Sequence, residues 1–240
     1  MKSQSLYREL AQYYDLIYDN KDYKKEAREI KKIIDQYKQS SGDNLLEIGC
    51  GTGQHLQHLK NNFSCTGLDV NAGILKVARK KHPSISFRKA SMVDFNLNKK
   101  FDIITCLFSS IGYVKTVPNL KKTINTFAKH LNSGGIAVIE PWFTKSTYHP
   151  GKVHMVTYDS PETKICRMTL LFVKNDVSVM DMHYLIGEKN KGVQHFVNRH
   201  ELGLFDTNQT LKIMKEAGFT ARYLKKGPWG DRGLLIGIKN

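Results

Sequence analysis

Three glycines at alternate positions, Gly49, Gly51 and Gly53, follow a short apolar run and precede a helical pattern. Glycines at a strand-to-helix turn let the backbone approach a ligand closely, at the sheet edge where open α/β folds bind ligands. A dinucleotide fingerprint needs Gly or Ala three residues after its second glycine, and this chain has Gln54 or Leu56 there. The pattern therefore argues against a dinucleotide-dependent dehydrogenase, and a turn without a ligand is the alternative.

A carboxylate, Asp69, ends the next predicted strand, 20 residues after Gly49. In that position it can accept hydrogen bonds from both ribose hydroxyls of a bound nucleoside. Asn71 can cap the following helix, which leaves Asp69 for the ligand, and helix capping by Asp69 itself is the alternative.

With Glu47 two positions before the first glycine, this segment resembles the first motif of the class I S-adenosylmethionine (SAM) methyltransferases. Four further segments resemble the TDP-amino-sugar N,N-dimethyltransferases of the desosamine and mycaminose pathways: 108–113 (Phe-Ser-Ser-Ile-Gly-Tyr), 140–143 (Glu-Pro-Trp-Phe), 189–196 and 226–234. The resemblance runs from about Tyr14 to Ile238, which is nearly the whole chain.

The resemblance implies SAM as cofactor and a small acceptor, a nucleotide-linked sugar amine. The residues that would hold SAM are Tyr23, Glu47, Gly49, Cys50, Gly51, Asp69, Val70, Ser91, Met92 and Phe108. Those that would hold the acceptor are Ser110, Trp142, Arg199, His200 and Arg232. Tyr14, Tyr113 and Glu140 are the side chains that could accept the proton of the amine. Methyl transfer is an in-line displacement that depends mainly on positioning, so no metal is expected.

This chain departs from the family pattern at two places. Many relatives carry Asp at the position of Ser91, next to the adenine. In the final loop Trp229 replaces a serine, and Asp231 is inserted before Arg232. These differences leave the identity of the sugar and of the nucleotide open.

The histidines allow several interpretations. His195 and His200 could act as bases, although a strand histidine on a polar face is more often structural. His55 and His58 lie one helical turn apart without a third ligand, and we interpret them as a solvated helix face.

Other functions remain as alternatives. Residues 106–113 lack the motifs of enzymes that methylate flipped bases, so only the net charge of +15 favours RNA methylation. Another small amine or hydroxyl, or a non-catalytic SAM-binding protein, is also compatible with the sequence.

The elements that must position these residues follow a strand-and-helix order. A helix over 22–38 precedes strands at 45–48, 65–68, 85–88, 101–107 and 136–139, which alternate with helical segments and predict a Rossmann-like parallel sheet with helices on both faces. Period-two alternation across 153–204 predicts an inserted antiparallel sheet with a hairpin turn at 174–176. A helix over 211–217 and strands at 219–224 and 234–238 then return to the main sheet.

We therefore expect three regions. Residues 1–147 form a SAM-binding Rossmann-like domain with N-terminal helices, 148–204 an inserted antiparallel substrate or lid region, and 205–240 the final helix and strand pair.

Composition sets the remaining limits. The 240 residues are 40% hydrophobic and 25% charged, which is typical of a globular protein with one sizeable core. The four cysteines (Cys50, Cys65, Cys106 and Cys166) lack paired spacing, which indicates reduced, buried thiols and a cytoplasmic protein.

The first ten residues do not resemble a signal peptide, and no apolar run is long enough to span a bilayer. Paired lysines spread along the chain indicate a solvated surface, so we expect neither nucleic acid nor membrane as partner; a homodimer is compatible.

Overall fold

The computed structural model describes residues 13–228, 230 and 232–240. The helices are α1 (Tyr14–Ile17), α2 (Tyr23–Tyr37), α3 (Gln54–Leu59), α4 (Ala72–Lys81), α5 (Val117–His130) and α6 (Thr207–Glu216), with a 3-10 helix over Ser110–Val114. The strands are β1 (Asn44–Ile48), β2 (Ser64–Asp69), β3 (Ser86–Lys89), β4 (Phe101–Cys106), β5 (Leu131–Ile139), β6 (Val153–Asp159), β7 (Thr163–Lys174), β8 (Val177–Glu188), β9 (Gly192–Gly203), β10 (Phe219–Leu224) and β11 (Leu234–Lys239).

The main sheet has seven strands in the order β10-β11-β5-β4-β1-β2-β3. The pairs among β1 to β5 are parallel, whereas β11 pairs antiparallel with both β5 and β10. The strand order reverses between β1 and β4, and ligands of open α/β sheets bind at such a switch point. The predicted parallel sheet and the return of the last two strands to it are confirmed.

Both faces of the main sheet are covered by helices. The side chains of β1 alternate, so that Leu45 packs under α2, α3 and α4 while Leu46 packs under α5 and α6. All six residues of β4 are buried, as expected of a strand at the centre of such a sheet. The apolar cores on the two faces hold the carboxyl ends of β1, β2 and β4 in fixed positions at one edge.

The inserted region forms a separate antiparallel sheet in the order β6-β7-β8-β9. The turn between β7 and β8 contains Asn175 with a φ of 55°, at the predicted hairpin position. The inner face of this sheet packs Tyr184 and Ile186 against Tyr13 and Ile17, at and beside α1. Its position between β5 and α6 agrees with the predicted insertion, and the division of the chain into three regions remains a prediction.

The expectation that all four cysteines are buried needs adjustment for two of them. Cys50 and Cys106 are buried as expected, but Cys65 and Cys166 are only half-buried. In the part of the chain that the structure describes, no helix is long and apolar enough to cross a membrane.

Candidate active site

A cavity of about 1180 Å³ lies between the carboxyl edge of the main sheet and the inner face of the inserted sheet. Sixteen of the eighteen residues predicted from the sequence line it: Tyr14, Tyr23, Glu47, Gly49, Cys50, Gly51, Asp69, Val70, Ser91, Met92, Phe108, Ser110, Tyr113, Trp142, His200 and Arg232. Glu140 and Arg199 are not among the lining residues. The two sheets therefore bring almost all of the predicted residues together.

The glycine turn forms one wall of this cavity. The backbone N–H groups of Gly49 and Cys50 donate to the carbonyl of Leu68, at 2.7 and 3.1 Å, which ties the turn to the end of β2. Gly49 has a φ of 67°, and a Cβ added there would lie 2.8 Å from the side chain of Ser110. Only glycine combines this backbone conformation with such a narrow space.

Asp69 lies beside the glycine turn. Its carboxylate accepts hydrogen bonds from the backbone N–H of Gly51 at 3.1 Å and of Asn71 at 2.9 Å. Burial raises the pKa of Asp69, and these backbone donors act in the opposite direction. Asn71 caps α4 through Gly73 N and Ile74 N, as predicted. A carboxylate offers about four lone-pair sites, so Asp69 retains acceptor capacity for a ligand hydroxyl.

His55 corrects one sequence interpretation, because it is buried rather than part of a solvated helix face. Its Nε2 lies 2.8 Å from Glu26 Oε2, and its Nδ1 lies 3.3 Å from Glu47 Oε1. Burial lowers the pKa of His55, but the hydrogen bonds with the two carboxylates outweigh burial and raise it. The imidazole bridges the two carboxylates and thereby fixes Glu47 at the cavity.

The second oxygen of Glu47, Oε2, is buried and has no hydrogen-bond partner among the described residues. Glu47 also lines the cavity. A buried carboxylate oxygen without a partner is costly, so a ligand that donates a hydrogen bond or carries a positive charge fits this position.

Aromatic rings enclose the part of the cavity that Glu47 lines. Tyr18 packs edge-on against Phe108 with ring centroids 5.2 Å apart, and Tyr23 packs edge-on against His55 at 5.0 Å. The Lys21 ammonium lies 4.8 Å from the ring centroids of both Tyr23 and Phe108 and pairs with Glu26. Tyr18 and Lys21 were not predicted. Helical spacing gives a signal for Tyr18, since it follows Tyr14 by four residues.

Glu140 has a different role from the predicted proton acceptor. It is fully buried, and its carboxylate accepts a hydrogen bond from Phe108 N at 2.6 Å and pairs with the guanidinium of Arg232. Phe108 and Ser109 both have left-handed backbone conformations, with φ of 51° and 58°. Glu140 thus stabilises a strained turn that aims Phe108 at the cavity, and it does not face the cavity itself.

The two arginines predicted to hold the acceptor are both engaged elsewhere. Arg232 lines the cavity, but its Nε donates to Glu140 at 3.0 Å and its guanidinium lies over Trp142. Arg199 is exposed on the outer face of β9 and makes two 2.6 Å hydrogen bonds to Asp181. Outward alternation along β9 places Arg199 away from the cavity, so its predicted contact with the acceptor is wrong. Trp229 and Asp231 lie outside the described residues.

A tyrosine and a histidine meet at the inner face of the inserted sheet. Tyr113 Oη lies 2.6 Å from His200 Nδ1, and His200 Nε2 lies 2.9 Å from the amide of Asn198. Burial lowers the pKa of His200 to about 4, so this imidazole is neutral. Because the Asn198 atom that meets Nε2 is the amide nitrogen, Nε2 accepts its hydrogen bond, and Nδ1 carries the ring hydrogen and donates to Tyr113 Oη. His195 is exposed, 3.2 Å from His183, and does not line the cavity.

These features fit SAM. Asp69 can accept from hydroxyl groups, Glu47 has one buried oxygen without a partner among the described residues, and Met92 and Phe108 provide apolar surface. Within the described residues, no group of three or more His, Cys, Asp or Glu could hold a metal ion. The fold and this site are those of a class I SAM-dependent methyltransferase.

Comparison with known proteins identifies the family. Residues 22–224 match the model of the methyltransferase domain family. A dTDP-3-amino-3,4,6-trideoxy-alpha-D-glucopyranose N,N-dimethyltransferase from Streptomyces venezuelae is 34% identical over 95% of this chain and 97% of its own length. A dTDP-3-amino-3,6-dideoxy-alpha-D-glucopyranose N,N-dimethyltransferase from Streptomyces fradiae is 31% identical over 96% of this chain and 91% of its own length.

Solved structures agree. The crystal structure of DesVI from Streptomyces venezuelae superposes with a TM-score of 0.90 at 32% identity, covering 96% of this chain and 98% of DesVI. SAM-bound CalS10, an amino pentose methyltransferase from Micromonospora echinaspora, superposes with a TM-score of 0.85 at 26% identity, covering 95% and 96%. The chain belongs to the methyltransferase family, in the group that contains the TDP-amino-sugar N,N-dimethyltransferases, and its cofactor is SAM.

Proposed function

We propose that this enzyme transfers a methyl group from SAM to the amine of a sugar linked to a nucleoside diphosphate. The observation that carries the proposal is the single cavity shared by the cofactor edge of the main sheet and the inner face of the inserted sheet. One end offers carboxylates to a nucleoside and a cationic group, and the other offers polar and basic side chains to a second ligand. The named substrates of the N,N-dimethyltransferase relatives support a dTDP-linked amino sugar.

SAM supplies an electrophilic methyl group on a sulfonium, and the residues of this chain position the two reactants. Asp69 and Glu47 hold polar groups of the cofactor, while Phe108, fixed by Glu140, encloses the reacting end. In-line attack by a neutral amine about 3 Å from the methyl carbon needs positioning above all. The sequence already predicts this dependence on positioning.

Tyr113 orients the amine in this proposal. Because Tyr113 Oη accepts a hydrogen bond from His200 Nδ1 with one lone pair, its second lone pair can accept an N–H of the amine. The nitrogen lone pair then points towards the methyl group. The pKa of His200 is too low for this imidazole to hold the proton that the amine loses, so that proton passes to solvent. Tyr14 also lines the cavity and is proposed as a second contact to the amine.

The first test is a thermal-shift titration of the protein saturated with S-adenosylhomocysteine. A ligand that binds only the folded state raises the melting temperature with its occupancy. We expect TDP to add a second stabilisation, with UDP and a short RNA as controls. Stabilisation by RNA alone, or none by any nucleotide, would remove the nucleotide sugar from the proposal.

A turnover assay completes the test. A dTDP-linked amino sugar incubated with SAM is expected to gain methyl groups on nitrogen, and mass spectrometry counts them. Methylation of an added hydroxyl compound, with no reaction of the amine, would favour the alternative acceptor class.

We also propose the cytoplasm as the compartment of this reaction. The four free cysteines support a reducing environment. A small-molecule acceptor, with neither nucleic acid nor membrane as partner, follows from the same proposal, and a homodimer remains compatible with it.

A further inference from the structure

A short segment of the chain, residues 13–18, contacts both sheets beside the cavity, and we call it the strap. On the inserted sheet, Tyr13 Oη donates a hydrogen bond to Glu188 Oε2 at 2.8 Å. Tyr18 lines the cavity, and its Oη accepts a hydrogen bond from Arg167 Nη1 at 3.1 Å. The strap therefore contributes to the site although it belongs to neither sheet.

Asp15 fixes the strap to the main-sheet side of the cavity. Its Oδ1 accepts a hydrogen bond from Thr52 Oγ1 at 2.7 Å, and its Oδ2 pairs with the ammonium of Lys81. Thr52 lies in the glycine turn, between Gly51 and Gly53. Lys81 is the last residue of α4. Both carboxylate oxygens of Asp15 thus bind residues on the side of the cofactor.

The two contacts of Asp15 differ in burial. The side chain of Lys81 is 43% exposed, and an exposed ion pair contributes little because water screens it. Thr52 is 1% exposed, and a hydrogen bond from a hydroxyl to a carboxylate is among the stronger kinds. Loss of the carboxylate would also leave this hydroxyl buried without its partner. The bond to Thr52 is therefore the contact that holds the strap.

The glycine turn continues this connection to the cofactor edge. Gly51 N, in the same turn, donates to the carboxylate of Asp69 at 3.1 Å. In the strap, Tyr14 directly precedes Asp15 and lines the cavity, as Asp69 does. A short series of contacts therefore joins the carboxylate at the cofactor edge to a tyrosine of the strap.

We propose that Asp15 is a positioning residue, which holds Tyr14 and Tyr18 against the bound reactants through its hydrogen bond with Thr52. This inference rests on the proposed function, because it takes the acceptor to enter the same cavity. In-line transfer from a sulfonium depends on the relative geometry of the two reactants. A small displacement of these rings should therefore lower the rate more than it weakens cofactor binding.

The experiment measures kcat and the KM for SAM with a dTDP-linked amino sugar as acceptor. Wild-type protein is compared with Asp15→Ala, Asp15→Asn and the matched control Lys81→Gln, which removes only the exposed ion pair. We expect Asp15→Ala to lower kcat about tenfold or more, with the KM for SAM changed less than about threefold. Asp15→Asn keeps an oxygen that accepts from Thr52 Oγ1, so its kcat should stay within about threefold of wild type. Lys81→Gln should behave as wild type.

A double-mutant cycle tests the partner of Asp15. Thr52→Val removes the hydroxyl and keeps the branched shape, and we expect it to lower kcat by the same factor as Asp15→Ala. The double variant should be no slower than either single variant, since the same bond is lost in all three. Losses that multiply in the double variant would show that the two residues act independently and would overturn the inference. An Asp15→Asn variant as slow as Asp15→Ala would overturn it as well.

Hydrogen exchange separates positioning from a general structural role. In protein saturated with S-adenosylhomocysteine, the amides of the strap should exchange faster in Asp15→Ala than in wild type or Asp15→Asn, while those of β4 stay unchanged. Faster exchange throughout the protein, together with a lower melting temperature, would make Asp15 a structural residue and contradict the inference. Equal exchange of the strap in all variants would contradict it too.

The proposed function can fail separately. If wild-type protein binds S-adenosylhomocysteine but does not methylate the amino sugar, the acceptor is wrong. Hydrogen exchange then decides on Asp15 without any acceptor. Faster exchange confined to the strap supports the inference, and unchanged exchange overturns it.

Discussion

The two ends of the cavity differ in the sign of their charges and in the elements that carry them. The cofactor end lies on the main sheet and presents Glu47 and Asp69, whereas the acceptor end lies on the inserted sheet and presents Arg167 and Lys152. Under the proposed function, a cationic sulfonium and an anionic diphosphate would meet opposite fields inside one cavity. This difference gives the two ligands different sites without any barrier between them.

The strongest test of the cofactor end is His55→Leu. The variant leaves the carboxylates of Glu26 and Glu47 buried together without the imidazole between them. We expect a loss of about 3 to 5 kcal/mol in the free energy of unfolding, measured in urea. The control His58→Leu, on the same helix but partly exposed, should lose less than about 1 kcal/mol.

The same histidine gives a pH dependence with a definite sign. Because the pKa of His55 is raised in the folded protein, its contribution is complete below its unfolded value, about 6.5, and is lost as the pH rises through the folded pKa. Wild-type protein should therefore lose stability above about pH 6.5, and the leucine variant should lack this decline. An identical decline in both proteins would show that another group causes it.

Arg232→Ala tests the ion pair between Arg232 and Glu140. The change leaves Glu140 buried beside Phe108 N without its counter-ion. We expect destabilisation of about 2 to 3 kcal/mol by urea unfolding near neutral pH. Burial already raises the pKa of Glu140, and loss of the arginine raises it further, so the deficit should shrink as the pH falls and the carboxyl takes a proton. A variant as stable as wild type would mean that Arg232 does not balance Glu140.

Asp69→Ala sharpens the assignment of the cofactor end. Loss of its hydrogen bonds to the ribose should weaken binding of S-adenosylhomocysteine by about 1 to 3 kcal/mol, measured by calorimetry. TDP binding should be unchanged, since Asp69 lies on the main sheet and the acceptor is proposed to lie against the inserted sheet. Unchanged cofactor affinity would show that the ribose lies elsewhere.

Tyr113→Phe has the smallest expected effect. The phenylalanine keeps the ring but removes the hydroxyl bonded to His200. We expect kcat to fall by a factor of a few, less than about 1 kcal/mol, with the KM for SAM unchanged. A fall of a hundredfold or more, with an altered pH profile of kcat, would make this tyrosine an essential acid-base group rather than an orienting one.

The cofactor end is predictable from the sequence because its residues are local. Gly49, Gly51 and Asp69 sit at turns that end consecutive strands, so spacing along the chain specifies their neighbourhood. Asn71 is predictable as a helix cap for the same reason. The strands of the inserted sheet follow equally well from period-two alternation.

The remaining contacts join residues far apart in the chain. His55 meets Glu26 across 29 positions, and Arg232 meets Glu140 across 92, and periodicity along one element carries no signal for such pairs. Alternation predicts two faces for β9 but not which face is buried. The family resemblance implies both His200 and Arg199 as contacts to the acceptor, whereas adjacent strand residues point to opposite sides of the sheet.

Gly112 lies in the 3-10 helix that carries Tyr113, and a Cβ on it would come within 2.8 Å of the side chain of Leu202 on β9. The 3-10 helix over Ser110–Val114 and strand β9 are thus in direct contact at Gly112, which has no side chain. A methyl group at position 112 would push this helix and β9 apart. A side chain at position 112 would therefore force Leu202, and β9 with it, away from the helix that carries Tyr113.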